Sequence, residues 1–338
     1  MMEENSDMKN KYVMNLHIFE NDVNIIDRTG AESLIPVQES NEIIQGIITQ
    51  SAVLQRGRKL PNMISKQYKM PVLDMLPIAY FVNGDSGQKK TTKMAWDKKF
   101  IIAEEIAVIV PIPEAVLDDS EYDIWAETKP RIIEAFGKKI DGAILFGDDK
   151  PASWRADVVT TANTAKSVVT LGAGDNLYDK IMGEEGSIAL IENSGYFVNG
   201  HMADISMRAK LRGLKNANGD PLFKSDMQSG TTYSLDGSPM NFPNNGSFDK
   251  SKALMISGDF SQLVYSIRQD ITFKLFTEGV VQNTDGSIAY NLMQNDMVAL
   301  RAVMRLGWEI PNPINSIQKD KTKRCPFAVL TAGEGQKR

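Results

Sequence analysis

The residues best suited to chemistry are scarce in this chain and badly spaced. Imidazoles occur only at His17 and His201, and the single thiol is Cys325. A zinc site gathers His, Cys or carboxylate ligands, usually with two of them a few residues apart. None of these three groups sits at such a distance from another. A Ser–His–Asp hydrolase would have to draw on one of the two histidines, and no Gly-x-Ser-x-Gly elbow is present to expose a nucleophile.

Phosphate binding fares little better. The run Gly84-Asp85-Ser86-Gly87-Gln88-Lys89-Lys90-Thr91 is loosely like a phosphate-binding loop. Such a loop needs glycine directly before the lysine and a helix after it, so that backbone amides and the helix dipole cradle the anion. Here Gln88 precedes Lys89, and the surroundings read as a hairpin. Gly172-Ala173-Gly174-Asp175 precedes a helical pattern, where a turn with an Asp175 cap is the better reading. The carboxylate pairs Asp118-Asp119 and Asp148-Asp149 lie at helix or loop ends. Neighbours on a helix point roughly 100° apart, which suits capping better than joint action on one atom. The basic run Lys319, Lys321, Lys323 and Arg324 has no interleaved aromatics for base stacking and reads as a solvated loop. No catalytic set, metal or cofactor is expected, so the chain reads as a non-enzyme. Lysine or tyrosine catalysis leaves no spacing signature and stays open at this level.

Bulk properties narrow the class. The 338 residues suit about two domains. With 42% hydrophobic and 24% charged residues, the chain has the composition of a globular protein with a sizeable core. A net charge of −5 argues against tight or sequence-specific nucleic-acid binding. One cysteine allows no intrachain disulfide and suits a reducing cytoplasm. Met1–Lys11 is polar, unlike a signal peptide, and no apolar run is long enough to span a membrane.

The elements that would position any site read as follows. Residues 1–15 are expected to be loose, and Gln38–Leu54 carries helical spacing at Ile43, Ile44, Ile47, Ile48 and Leu54. A strand-like stretch, Met70–Val82, meets a strong turn signal at Asn83-Gly84-Asp85-Ser86-Gly87, and Trp96–Ala103 reads as the return strand. Fully extended, Val72–Val82 would reach about 36 Å. A lone two-stranded hairpin of that length is marginal in water, so it must lie on something. A long helix follows, capped by Asp118, Asp119 and Ser120, with Tyr122, Trp125, Ile132, Ile133, Phe136 and Ile140 on one face and Pro130 kinking it near Ala126. Ala143–Phe146 ends that helix or forms a short strand. A small, polar stretch at 151–174 marks a boundary. Further helices are expected at Asn176–Glu192, Met202–Leu214 and Met297–Leu306, with a turn at Asn218-Gly219-Asp220-Pro221. Strands are expected at Ala253–Ser257, Leu263–Ile267, Thr272–Phe276, Ile288–Leu292 and Pro326–Leu330. Helices and strands mix without regular alternation, which points to an α+β fold.

Charge is unevenly placed. Residues 1–55 hold nine acidic side chains against three basic, and residues 56–100 hold ten basic against three acidic. Chance and solubility account for such a contrast equally well; the other reading is that it guides assembly, the acidic arm of one subunit running under the basic hairpin of the next.

Over residues 65–312 the pattern resembles the major capsid proteins of tailed bacteriophages, the Hong Kong 97-type fold also found in encapsulin shells. It is carried by Met70-Pro71-Val72-Leu73, Ala79-Tyr80-Phe81-Val82, Trp96 and Ala103-Glu104-Glu105-Ile106-Ala107, then Val110-Pro111-Ile112-Pro113-Glu114 and Ile140-Asp141-Gly142-Ala143-Ile144-Leu145-Phe146-Gly147. Asn218–Phe223, Leu235–Pro239, Ser257-Gly258-Asp259-Phe260-Ser261, Ile267–Asp270, Asn295–Ala302 and Trp308 extend it.

The resemblance implies an N-terminal arm (1–65), an extended hairpin loop (66–103), a peripheral domain with a long spine helix (104–150 and 262–330) and an axial domain (151–261). It implies a structural protein that self-assembles through pentamers and hexamers into an icosahedral head around double-stranded DNA. Its partners would be the portal, scaffolding and decoration proteins and non-specifically held DNA, with no membrane. The virion capsid would be its location, after assembly in the host bacterial cytoplasm. Lys89, Lys90, Lys93, Trp96, Arg56 and Arg58 are the expected assembly-interface residues. Some members weld subunits by a lysine–asparagine isopeptide bond; Lys89, Lys90 or Lys93 with Asn283 would be the pair, although no glutamate is clearly placed to assist. Only about 65 residues precede the hairpin, which implies a separate scaffolding protein or none. An encapsulin-type compartment shell is the alternative, and an unrelated α+β enzyme a third.

Overall fold

The computed structural model describes residues 51–82, 88–214 and 233–333. The expected loose start, most of the Gln38–Leu54 helix and the turns at Asn83–Gly87 and Asn218–Pro221 lie outside the described residues.

Along the chain, α1 (Ala52–Arg56) leads into the short β1 (Arg58–Lys59). The hairpin strands β2 (Gln67–Met75) and β3 (Ala95–Ile102) pair antiparallel from Gln67 opposite Ile102 to Met75 opposite Ala95. β4 (Glu104–Pro113) follows at once, alternating exposed Glu105, Ala107 and Ile109 with more buried Ile106, Val108 and Val110. α2 (Glu114–Asp119) precedes the spine helix α3 (Ile124–Phe146). Asp118 and Asp119 therefore end α2 rather than cap α3. The cap is Asp123, whose carboxylate accepts from the Trp125 and Ala126 amides. The reason is local packing: Val116 and Ile124 close over Ile112, which fixes a turn between the two helices.

Next come α4 (Val158–Thr164), β5 (Val168–Leu171), α5 (Leu177–Met182), α6 (Ser187–Asn193), β6 (Gly200–Ala203) and α7 (Met207–Arg212). The single helix expected over Asn176–Glu192 is broken at Gly183. A side chain there would meet the Asp179 carbonyl at 2.3 Å, and the backbone turns out of the helix. The helix expected from Met202 begins at Met207, because Gly200–Ala203 is fully buried as a strand. After β7 (Ser234–Leu235), β8 (Ser238–Asn241) and β9 (Met255–Gly258), one long strand, β10 (Val264–Phe276), replaces the two expected ones. Irregular pairing around Gln269 accounts for the apparent gap. Then β11 (Val280–Gln282), β12 (Ile288–Asn291), β13 (Met297–Glu309) and β14 (Phe327–Ala332) complete the order.

The expected helix at Met297–Leu306 is thus a strand. Its near-continuous apolar run fits a central strand, buried on one side by α3 and flanked by β10 and β4. Arg301 and Arg305 are four apart, a helical spacing that also puts two residues on one face of a strand.

Two sheets organise the body. The first has the order β1-β10-β13-β4 and carries α3. The second has the order β5-β14-β9-β6-β8-β7 and carries α4 to α7. β14 was expected with the first group, inside 262–330. It lies instead in the second sheet, parallel to β5 and antiparallel to β9. Strand partners far apart in sequence leave no local signal of which sheet they join.

α3 joins the two layers. Its first half shows one apolar stripe, with Ile132 and Phe136 buried and Trp125 half-buried. Its second half, Ile140–Phe146, is buried all round, and the one core contains residues of both sheets, among them Met304, Leu306, Phe327 and Val329. Phe136 is 3% exposed. Phe136→Ala is expected to cost about 3–5 kcal/mol in urea unfolding of the isolated chain, and a loss below about 1 kcal/mol would mean the stripe is misassigned.

Candidate assembly surfaces

The hairpin buries little of itself. Val72 is the buried residue of β2, and Ile101 that of β3. Beyond Met75, residues 76–82 and 88–94 form no strand ladder. Apolar side chains point outward along its whole length: Met75, Ile78, Tyr80, Phe81, Met94, Trp96 and Phe100 are all exposed, Phe81 completely. An exposed apolar ribbon of this extent marks a surface that another body covers.

Four of the expected interface residues share this ribbon. Lys89, Lys90 and Lys93 are exposed, with the Lys90 ammonium 5.1 Å from the centre of the Tyr80 ring. Trp96 is 62% exposed and stands opposite Leu73. Arg56 and Arg58 lie elsewhere. Arg56 ends α1 and donates to Asn241 Oδ1 at 2.8 Å, while Arg58 pairs with Val264 at the edge of the first sheet. Asn283 is exposed beside β11 and donates to Ser287 Oγ. Phe81 and Ile78 belong to the ribbon and were legible only as strand residues.

A loop between β13 and β14 sets the hairpin's direction. The Ile314 amide donates to the Leu73 carbonyl at 3.0 Å, and Lys321 Nζ lies 2.7 Å from Asp97 Oδ2. The hydrogen bond and charge of Lys321 hold the exposed Asp97 carboxyl below the usual range. Arg324, only 3% exposed, braces this loop from inside. It donates to Asn312 Oδ1, to the Asn312 carbonyl and to the Gln318 carbonyl at 2.9–3.0 Å. Tyr196 Oη donates to the same Asn312 Oδ1 at 2.8 Å, and burial pushes its pKa up to about 12. The basic run 319–324 therefore contains one buried brace, Arg324, and two paired lysines, Lys321 with Asp97 and Lys323 with Asp320.

The arm enters at Asp141, which is fully buried on α3. Its carboxylate accepts from Ser51 Oγ at 2.5 Å, the Ala52 and Val53 amides at 3.0 and 3.2 Å, and Asn245 Nδ2 at 3.0 Å. A side chain of the spine helix thus caps the first helix of the arm junction. Burial raises the Asp141 pKa, against the pull of these hydrogen bonds.

Of the groups that sequence chemistry singled out, His201 and Cys325 are packed away, and His17 lies outside the described residues. His201 is buried, with Nδ1 2.8 Å from Ser257 Oγ and Nε2 3.2 Å from the Leu235 carbonyl, and burial takes its pKa down to about 4. Cys325 is buried, and its thiol is pushed up to about 11. Among the described residues no group of three His, Cys, Asp or Glu side chains is placed to hold a metal, and no helix is long and apolar enough to cross a membrane.

A protruding, uncovered hairpin on a two-sheet body built around one long helix is the architecture of a subunit made for contact, and comparison with known proteins gives it a family. The model of the Phage capsid family matches residues 31–319. The chain belongs to that family. The major capsid protein of Staphylococcus phage 80alpha is 30% identical over 271 residues, covering 79% of each chain. A solved structure from Microbacterium phage Oxtober96 is 32% identical with a TM-score of 0.77, over 92% of this chain and all of that one. One from Mycobacterium phage Cain is 27% identical with a TM-score of 0.76, over 92% and 99%. The fold is the α+β Hong Kong 97-type capsid fold, and the function is that of a structural major capsid protein of a tailed phage. These relatives are phage proteins and lend no support to the encapsulin alternative.

Asp141→Ala would leave several buried donors without an acceptor and is expected to cost about 3 kcal/mol in urea unfolding. The raised carboxyl also carries a pH signature. Its contribution to stability is greatest below the ordinary value of 3.8 and falls as pH rises through the raised value. Asp141→Asn should lack that fall, which urea midpoints measured across pH would show.

Proposed function

We propose that this capsid protein self-assembles through pentamers and hexamers into a closed icosahedral head around double-stranded DNA, and that it does so without enzymatic activity of its own. The exposed ribbon of the hairpin carries the reading. Its Phe81, Ile78 and Trp96 have no partner surface among the described residues of the subunit, and a neighbouring subunit supplies one. Lys89, Lys90, Lys93 and Trp96 then sit at the contact, with Arg56 and Arg58 at the base of the arm. Portal, scaffolding and decoration proteins would complete the head, assembled in the host cytoplasm, with DNA held non-specifically inside.

Size-exclusion chromatography and negative-stain microscopy of the full chain test this directly: rings, capsomers or shells are expected, and a monodisperse monomer at all concentrations would refute it. Deleting Asn83–Lys93 should leave a folded chain that makes no stable shells. The charge contrast between residues 1–55 and 56–100 supports a further expectation. Exposed ion pairs contribute only about 0–1 kcal/mol each, so charge acts on register and encounter rate more than on final strength. At about 1 M salt, with a Debye length of about 3 Å, assembly should slow. Reversing Lys89, Lys90 and Lys93 to Glu should slow it at low salt and remove most of the salt dependence. Rates indifferent to both changes would leave the contrast without an assembly role.

A further inference from the structure

The face of the first sheet turned away from α3 carries an uncompensated positive charge. Lys274 on β10 and Arg301 on β13 stand directly opposite each other in the ladder. Like charges in that position repel, so such a pair is retained at a cost unless something neutralises it. Arg305, on the same face, is already satisfied by Glu105 at 2.5 Å. Neither Lys274 nor Arg301 makes an ion pair among the described residues. The Arg301 guanidinium lies 4.8 Å from the centre of the Phe276 ring, and its buried Nε finds no acceptor among the described residues. Between these cations, Thr272, Ile109 and Glu105 is a shallow cavity of about 370 Å³ that opens to solvent.

The complementary feature is on the same subunit but on different elements. Residues 114–128 contain six acidic side chains and no lysine or arginine. They cover α2, the turn after it and the start of α3. The turn is held rigid by buried Val116 and Ile124 against Ile112 and by the Glu114 amide on the Asp296 carbonyl at 2.8 Å. Asp118 and Glu121 are exposed on it, while Asp123 spends its carboxylate on the helix cap.

We propose that the acidic turn 118–121 of one subunit docks on the Lys274–Arg301 face of a second copy of the chain, an inference that rests on the shell-forming function above. The observations favour a protein carboxylate over DNA phosphate because the chain is acidic overall and its cationic spot is small, with a matching acidic turn held at fixed geometry. Since the two patches differ, each subunit gives its turn to one neighbour and receives a turn from another. Heterologous contacts of this kind form rings where the rotation between copies closes.

Assembly is followed by light scattering at low salt, with wild-type chain in the same buffer to separate a failure of this contact from a failure of the capsid function. Lys274→Glu with Arg301→Glu should slow assembly about tenfold or more, the range of electrostatic steering. Asp118→Lys with Glu121→Lys, four changes of charge confined to exposed side chains of the other patch, should slow it likewise. All four substitutions in one chain should return the rate close to wild type, which a merely structural role for either patch would not do. Thermal unfolding of each variant shows that the subunit is folded. Rates unaffected by either reversal, or a fourfold variant as slow as the two double variants, would overturn the proposal. So would normal shells from the Lys274/Arg301 variant that package less DNA, because the face would then meet nucleic acid.

Discussion

The structure depends on the burial of the second half of α3. From Ile140 to Phe146 the helix has no solvent side, and it is the place where the cores of both sheets become one. A helical segment with no solvent-facing side has no stable position outside such a core. Once it is placed, the rest can be attached: β13 and β14 share its core, α4 packs on it, and Asp141 offers the carboxylate that caps α1. The part that leaves this body, the hairpin, is the part that buries little of itself.

The hairpin is attached as a lever. Its strands carry little core, so its direction comes from elsewhere: the Ile314 amide, the Lys321–Asp97 pair and the loop that Arg324 and Tyr196 hold to the second sheet. The exposed pair alone is weak. The loop behind it is firm because Arg324 is buried with its donors satisfied by carbonyl and amide oxygens.

What could be read beforehand follows the same division. The hairpin was legible because a turn signal sits between two strand-like runs, and the core face of α3 because Ile132, Phe136 and Ile140 keep helical spacing. The α+β class followed from irregular alternation. β13 was misread since its apolar run satisfies both periods, and only its two flanking strands decide the matter. The place of β14 in the second sheet was not legible because its partners, β5 and β9, lie far back in the chain. Of the exposed ribbon proposed as an assembly surface, the lysines and Trp96 were legible as exposed types beside a turn. Asp141 and Arg324 were not. A buried carboxylate that caps a helix some ninety residues away, and a guanidinium closed over its own loop, have no local pattern by which to be found.

The position of β14 has a consequence for synthesis. It is the last strand among the described residues, yet it lies between β5 and β9 and is hydrogen-bonded to both. While the ribosome is still short of Phe327, the second sheet has a missing middle: two bare edges and no Val329 or Leu330 to fill the core. Non-local pairing of this kind closes late, and edges left open are prone to wrong partners. A chain that stops short of Phe327 therefore leaves β5 and β9 without the strand that joins them.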